Sequence, residues 1–210
     1  MSFKTLRNIV AFILLVINGK AKFTNQEKIP KDENYILVAP HRTFFDPVYL
    51  AIGAKPKPFI FMAKEELFKN RLFAWIIKKA GAFPVDRKKP GPSAVKYPIK
   101  RLKSEDNVGL IMFPSGTRHS EDLKGGVALI AKMAKVRIVP AVYQGPLSFK
   151  GLLSRKQTYV RYGDPIDISD IPNLNEEGLA EVAHRMQVAF DTLDKEINPE
   201  YKYVPVVRGK

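Results

Sequence analysis

The chain contains no cysteine, which excludes disulfides, thiolate zinc sites and a cysteine nucleophile; this suits a cytoplasmic location without fixing one. Histidine is nearly as scarce, with only His41, His119 and His184. Three are too few for a histidine-rich metal centre, and they leave acid–base chemistry near neutral pH few candidates. Acidic residues are in deficit, 21 Asp+Glu against 35 Lys+Arg, for a net charge of +14. Long apolar runs are lacking too. The longest, Ile9 to Ile17 (IVAFILLVI), spans about 14 Å as a helix against a hydrocarbon core of about 30 Å, so it cannot cross a bilayer. There is no internal repeat and no low-complexity tract. With 210 residues, 45% of them hydrophobic, one folded domain with a sizeable core is the natural reading.

The positive charge is concentrated. Residues 55–103 hold fourteen Lys+Arg against Glu65, Glu66 and Asp86, whereas residues 170–200 hold eight acids against Arg185 and Lys195. The basic middle can meet nucleic acid, anionic lipid headgroups or a phosphorylated substrate, since all three offer phosphate oxygens. It can also serve solubility alone. Residues 84–103 contain a single aromatic, Tyr97, which argues against a single-strand nucleic-acid platform.

Lys4 and Arg7 precede the apolar run, and Lys20 and Lys22 follow it. This pattern predicts a helix lying in one membrane leaflet with its cations at headgroup level. A signal peptide, with Gly19-Lys20-Ala21 as a small-x-small site, and an ordinary buried helix fit the same residues.

Beyond it, short apolar runs at Tyr35–Pro40, Phe59–Ala63, Ala82–Val85, Val108–Phe113, Val136–Val142 and Thr158–Tyr162 read as strands. Helical patterns lie at Pro47–Ala54, Lys64–Ala80, Ser93–Leu102, Gly125–Lys135 and Leu174–Ile197. The alternation predicts an α/β fold: a single domain with a mixed, largely parallel sheet flanked by helices, and an N-terminal membrane-associating helix. In such sheets the site gathers beyond the carboxyl ends of the strands. There the sequence offers His41 and Asp46, Lys64, Asp86 and Arg87, and Ser115-Gly116-Thr117-Arg118. One histidine, a nearby acid and three cations suit proton abstraction beside a bound phosphate.

His41 and Asp46 are five residues apart and can meet only across a turn. Asp46 before Pro47 predicts an N-cap with Pro at the first helical position, which would close such a turn. Asp46 is then either simply a cap or the group that fixes the tautomer of a basic His41.

Four blocks occur in order: HRTFFD (His41 to Asp46), GAFPVDR (Gly81 to Arg87), FPSGTR (Phe113 to Arg118) and VPAVY (Val139 to Tyr143). Together they resemble the glycerophospholipid acyltransferase family, of the bacterial 1-acylglycerol-3-phosphate acyltransferase type. The resemblance implies transfer of an acyl chain from a thioester, acyl-ACP (acyl carrier protein) or acyl-CoA (coenzyme A), to the sn-2 hydroxyl of lysophosphatidic acid. It implies no covalent intermediate, no metal and no tightly bound cofactor. His41 would be the general base and Asp46 its orienting partner. Arg87, Arg118 and Lys64 would hold the glycerol phosphate, with Ser115, Gly116 and Thr117 in the same pocket. Val139-Pro140 would line the acyl or thioester side, or simply be a buried strand. Residues 1–22 would be the membrane-associating segment and 23–210 the acyltransferase domain. The whole would lie on an anionic membrane surface at the cytoplasmic face of the cell membrane, with no nucleic-acid partner.

Ser115 stands where the family's Phe-Pro-x-Gly-Thr-Arg block usually carries an acid, which makes the expected pocket one charge more positive; Glu121 is a candidate to compensate. Pro40 replaces a frequent Asn, and Thr43 a Ser. Ser115, His41 and Asp46 are also the ingredients of a hydrolase triad. A nucleophile elbow, however, needs Gly two residues before the serine, and that position is Phe113. His119 reads as a loop residue and His184 as helix surface. The acidic C-terminal helix reads as a solvated cover for the sheet.

Overall fold

The computed structural model describes residues 2–86, 91–116 and 123–203. Among these residues seven strands form one sheet: β1 (Lys22–Thr24), β2 (Tyr35–Val38), β3 (Phe59–Lys64), β4 (Ala82–Val85), β5 (Gly109–Met112), β6 (Arg137–Gln144) and β7 (Tyr159–Tyr162), in the order β1-β7-β6-β2-β5-β3-β4. β2 to β6 run parallel to one another, β7 is antiparallel to β6, and β1 is parallel to β7. The expected mixed, largely parallel sheet is thus present, and all six predicted strands belong to it. β1 is an additional three-residue edge strand.

The helices are α1 (Phe3–Asn18), α2 (Asp46–Gly53), α3 (Arg71–Lys79), α4 (Ser93–Ser104), α5 (Gly126–Ala134), α6 (Phe149–Leu153) and α7 (Glu176–Ile197). Central β2 is buried at every position, as a strand covered on both faces must be. Its side chains alternate. Ile36 and Val38 pack with residues of α4, α5 and α7, among them Leu102, Ile130 and Phe190. Tyr35 and Leu37 pack with Leu14 of α1, Tyr49 and Leu50 of α2, and Leu152 of α6. Each buried Leu or Ile side chain contributes about 1.5–3 kcal/mol, so this two-sided core fixes the sheet edge from which the site is built.

Pro140 stands inside β6, where a missing N–H is normally disfavoured. β6 pairs with β2 over 137–140 and with β7 over 141–144, so the absent donor falls at the changeover between partners. Val139 is fully buried and Pro140 is buried too, as a buried strand requires.

The stretch 64–80 is not one helix. Lys64 ends β3, Glu65–Phe68 form a 3-10 turn, and Asn70 caps α3 by accepting a hydrogen bond from the Phe73 amide at 3.0 Å. That cap restarts the chain where helical spacing alone suggested continuity.

The α1 helix serves as both core and surface. Arg7 donates to the carbonyls of Lys57 (2.8 Å) and Pro56 (3.2 Å). The Asn18 side-chain oxygen accepts from the Thr158 hydroxyl (2.8 Å), and its nitrogen donates to the Leu152 carbonyl (3.0 Å). Ile9, Phe12, Ile13, Leu15 and Val16 remain exposed. Among the described residues no helix is long and apolar enough to cross a membrane.

Candidate active site

β2 ends at Val38, and the chain runs without regular structure to α2, which begins at Asp46. The cap of α2 is Phe45, not Asp46, and no side chain caps it. Asp46 is the first helical residue and turns its carboxylate back onto the loop. One oxygen, Asp46 Oδ2, accepts from the amides of Arg42 (2.6 Å) and Thr43 (2.9 Å) and lies 3.1 Å from His41 Nδ1. The expected cap is therefore corrected, and the expected His–Asp pair is present.

Asp46 is fully buried, while 9% of the His41 side chain is exposed. A carboxylate opposite Nδ1 requires the hydrogen on that nitrogen, which leaves Nε2 with the lone pair. Phe113, the first residue of the FPSGTR block, stacks on the imidazole at 4.2 Å between ring centroids. The ring is thus fixed by a hydrogen bond at one edge and an aromatic contact on one face.

Beside it lies a cavity of about 190 Å³ lined by His41, Ser115, Leu123 and Phe190. Ser115 is 4% exposed. Gly116 has φ +68°, and nothing among the described residues lies within 4 Å of where a Cβ would stand, so its backbone adopts a turn that favours glycine and lets a ligand approach closely. Lys64 lies at the same carboxyl rim, at the end of β3, but it does not line the cavity. It is half exposed and pairs with Glu66 at 2.8 Å; hydrogen bonding from Lys64 holds the Glu66 carboxyl below its usual range. Arg87, Thr117, Arg118, His119 and Glu121 lie outside the described residues. His184 is exposed on α7, as expected.

The C-terminal part of the chain enters the site in a way the sequence did not announce. Asp191, Asp194 and Lys195 of α7, with Tyr201 and Tyr203 beyond it, line the same cavity. Burial raises the pKa of Tyr201, although the nearby Arg42 charge lowers it somewhat. The acids of α7 are therefore not all solvated surface. Asp194 faces inward at helical spacing from the buried Phe190, a pattern that could have singled it out.

Comparison with known proteins finds relatives along most of the chain. The family described as Acyltransferase matches residues 20–144, a span containing all four sequence blocks. The 1-acyl-sn-glycerol-3-phosphate acyltransferase of Streptococcus pneumoniae is 59% identical over 197 residues, covering 93% of this chain and 74% of that protein. The enzyme of the same name from Bacillus subtilis is 39% identical, covering 89% of this chain and 94% of its own. The crystal structure of the 1-acyl-sn-glycerophosphate (LPA) acyltransferase PlsC from Thermotoga maritima shares the fold, with a TM-score of 0.70 at 22% identity over 95% of this chain and 81% of that one. With its profile spanning more than half of the residues and a relative this similar along most of its length, the chain belongs to the acyltransferase family.

Proposed function

We propose that the protein transfers an acyl group from acyl-ACP or acyl-CoA to the sn-2 hydroxyl of lysophosphatidic acid, giving phosphatidic acid. The observation that carries this reading is the single oxygen of Asp46 gripping His41 Nδ1 and two loop amides, which points the basic Nε2 away from its partner. His41 Nε2 takes the proton of the sn-2 hydroxyl as that oxygen attacks the thioester carbonyl. The C–O bond forms, the C–S bond breaks, and the proton passes to the departing thiolate. Asp46 stabilises the imidazolium formed on the way. The reaction is redox-neutral and the thioester is already activated, so the chemistry needs no bound cofactor or metal.

Gly116, with its open approach, and Thr117 bring backbone donors to the glycerol phosphate. Arg87 and Arg118 supply its counter-charge, guanidinium matching phosphate bidentately, and Lys64 joins them from the rim by exchanging Glu66 for the phosphate. Ser115, facing the cavity beside His41, is a polar wall rather than a nucleophile. The protein lies on the cytoplasmic leaflet of an anionic membrane. The exposed face of α1 enters the interface together with Phe149 and Leu153 of the adjoining α6, and Lys4, Lys20 and Lys150 are placed at headgroup level. An acceptor that lives in the bilayer then reaches the site without leaving it.

The test offers the purified protein lysophosphatidic acid in anionic vesicles with acyl-ACP or acyl-CoA. Phosphatidic acid as product supports the reading; release of free fatty acid without transfer would contradict it.

A further inference from the structure

We propose that Asp194 is a positioning residue that holds His41 in place through Arg42, so that the end of α7 and the tail after it form a working part of the active site. Arg42 directly follows His41 and is 7% exposed. Its backbone amide is one of the three groups on Asp46 Oδ2. Its guanidinium reaches the other way: Nη1 donates to Asp194 Oδ1 (2.9 Å) and to the Tyr143 carbonyl (2.8 Å), and Nη2 donates to Asp194 Oδ2. Asp194 is itself held, since Gln144 Nε2 donates to its Oδ1 (2.9 Å) and to its main-chain oxygen (3.0 Å). The rings of Tyr201 and Tyr203 lie over the guanidinium at 4.9 and 5.5 Å. The Tyr203 hydroxyl donates to the Arg42 carbonyl at 3.3 Å.

The loop that carries His41 is irregular and so has no ladder of its own to hold it. It is gripped from both faces of the sheet, by Asp46 on the α2 side and by Asp194 on the α7 side, and a single residue, Arg42, connects the two. A bidentate guanidinium–carboxylate pair fixes direction as well as distance. Such a buried pair is a poor source of net stability, because desolvation offsets most of the attraction. What this pair does supply is a fixed place for the residue next to His41, and a displacement of about 1 Å there is enough to cost about 100-fold in rate.

The inference rests on His41 being the base. The experiment measures acyl transfer to lysophosphatidic acid in anionic vesicles with full-length Asp194→Asn, Asp194→Glu, Arg42→Lys, the Asp194→Asn/Arg42→Lys double variant and His41→Ala, with thermal melting of each. Asp194→Asn is expected to lower kcat at least ~10-fold with both KM values within about twofold, and Asp194→Glu to recover part of the loss. The double variant should be no slower than the slower single one, because both changes cut the same link. The His41 Nδ1 proton, seen by NMR, should broaden in Asp194→Asn. Wild-type kcat in Asp194→Asn, or losses that multiply in the double variant, would overturn the inference. If Asp194→Asn does not fold, Arg42→Lys, which keeps the charge without the fork, is read by the same kcat criterion. Activity surviving in His41→Ala would remove the reading of His41 itself; activity lost there but kept in Asp194→Asn removes only the role of Asp194.

Discussion

Asp46 Oδ2 lies 3.1 Å from His41 Nδ1 while also accepting two main-chain amides, so one atom sets both the shape of the loop and the tautomer of the ring. Asp46→Asn keeps an oxygen for the two amides but no longer dictates which imidazole nitrogen carries the proton. The expected result is a kcat lower by about 10²- to 10⁴-fold with KM for lysophosphatidic acid little changed. Steady-state kinetics on vesicles checks it.

Ser115 faces the cavity that His41 lines. If it is a wall of the pocket, Ser115→Ala retains transfer to within about tenfold and shows its effect mainly in KM. A nucleophile's loss would instead abolish turnover, so a progress curve with either donor separates the two.

Phe12 and Val16 are exposed on α1, at 66% and 54%, and neither is part of the core. Replacing both with Asp should leave the melting temperature nearly unchanged while weakening co-sedimentation with anionic vesicles. Transfer to acceptor in vesicles should fall more than transfer to acceptor in detergent micelles.

Tyr35, Tyr143 and Tyr162 are buried, and burial pushes each hydroxyl's pKa above the ordinary value of 10.0. In the unfolded chain these groups ionise near pH 10, whereas in the folded protein they stay neutral. The stability tied to the raised values is therefore whole below pH 10 and is lost as pH rises through the folded values. Melting temperature should decline from about pH 10 upward. In Tyr162→Phe, which also gives up the bond to the Leu50 carbonyl, the decline should be shallower.

What could be read in advance follows from range. Strands β2 to β7 were legible because each is a short apolar run, and the His41–Asp46 pair because both members lie within one turn of chain. Lys64 was legible as a rim residue, but its pairing with Glu66 depends on the 3-10 turn that interrupts the helical spacing. β1 and α6 were missed, being three and five residues long, too short for either period to register. Asp194 was missed for a different reason. Its partner Arg42 is 152 positions away; the spacing from Phe190 puts Asp194 on the inner face of α7, but only folding shows what it meets there. The tail tyrosines likewise carry no pattern; only folding places them over Arg42.

Everything in the proposed reaction turns on His41 Nε2 removing the acceptor's proton. Its most direct test is single-turnover transfer from acyl-ACP or acyl-CoA to lysophosphatidic acid, wild type beside His41→Ala, with vesicle binding and melting matched between them. The expected result is a fall of about 10²- to 10⁴-fold in the chemical step with acceptor binding intact. Phosphatidic acid formed by His41→Ala at close to the wild-type rate would contradict it.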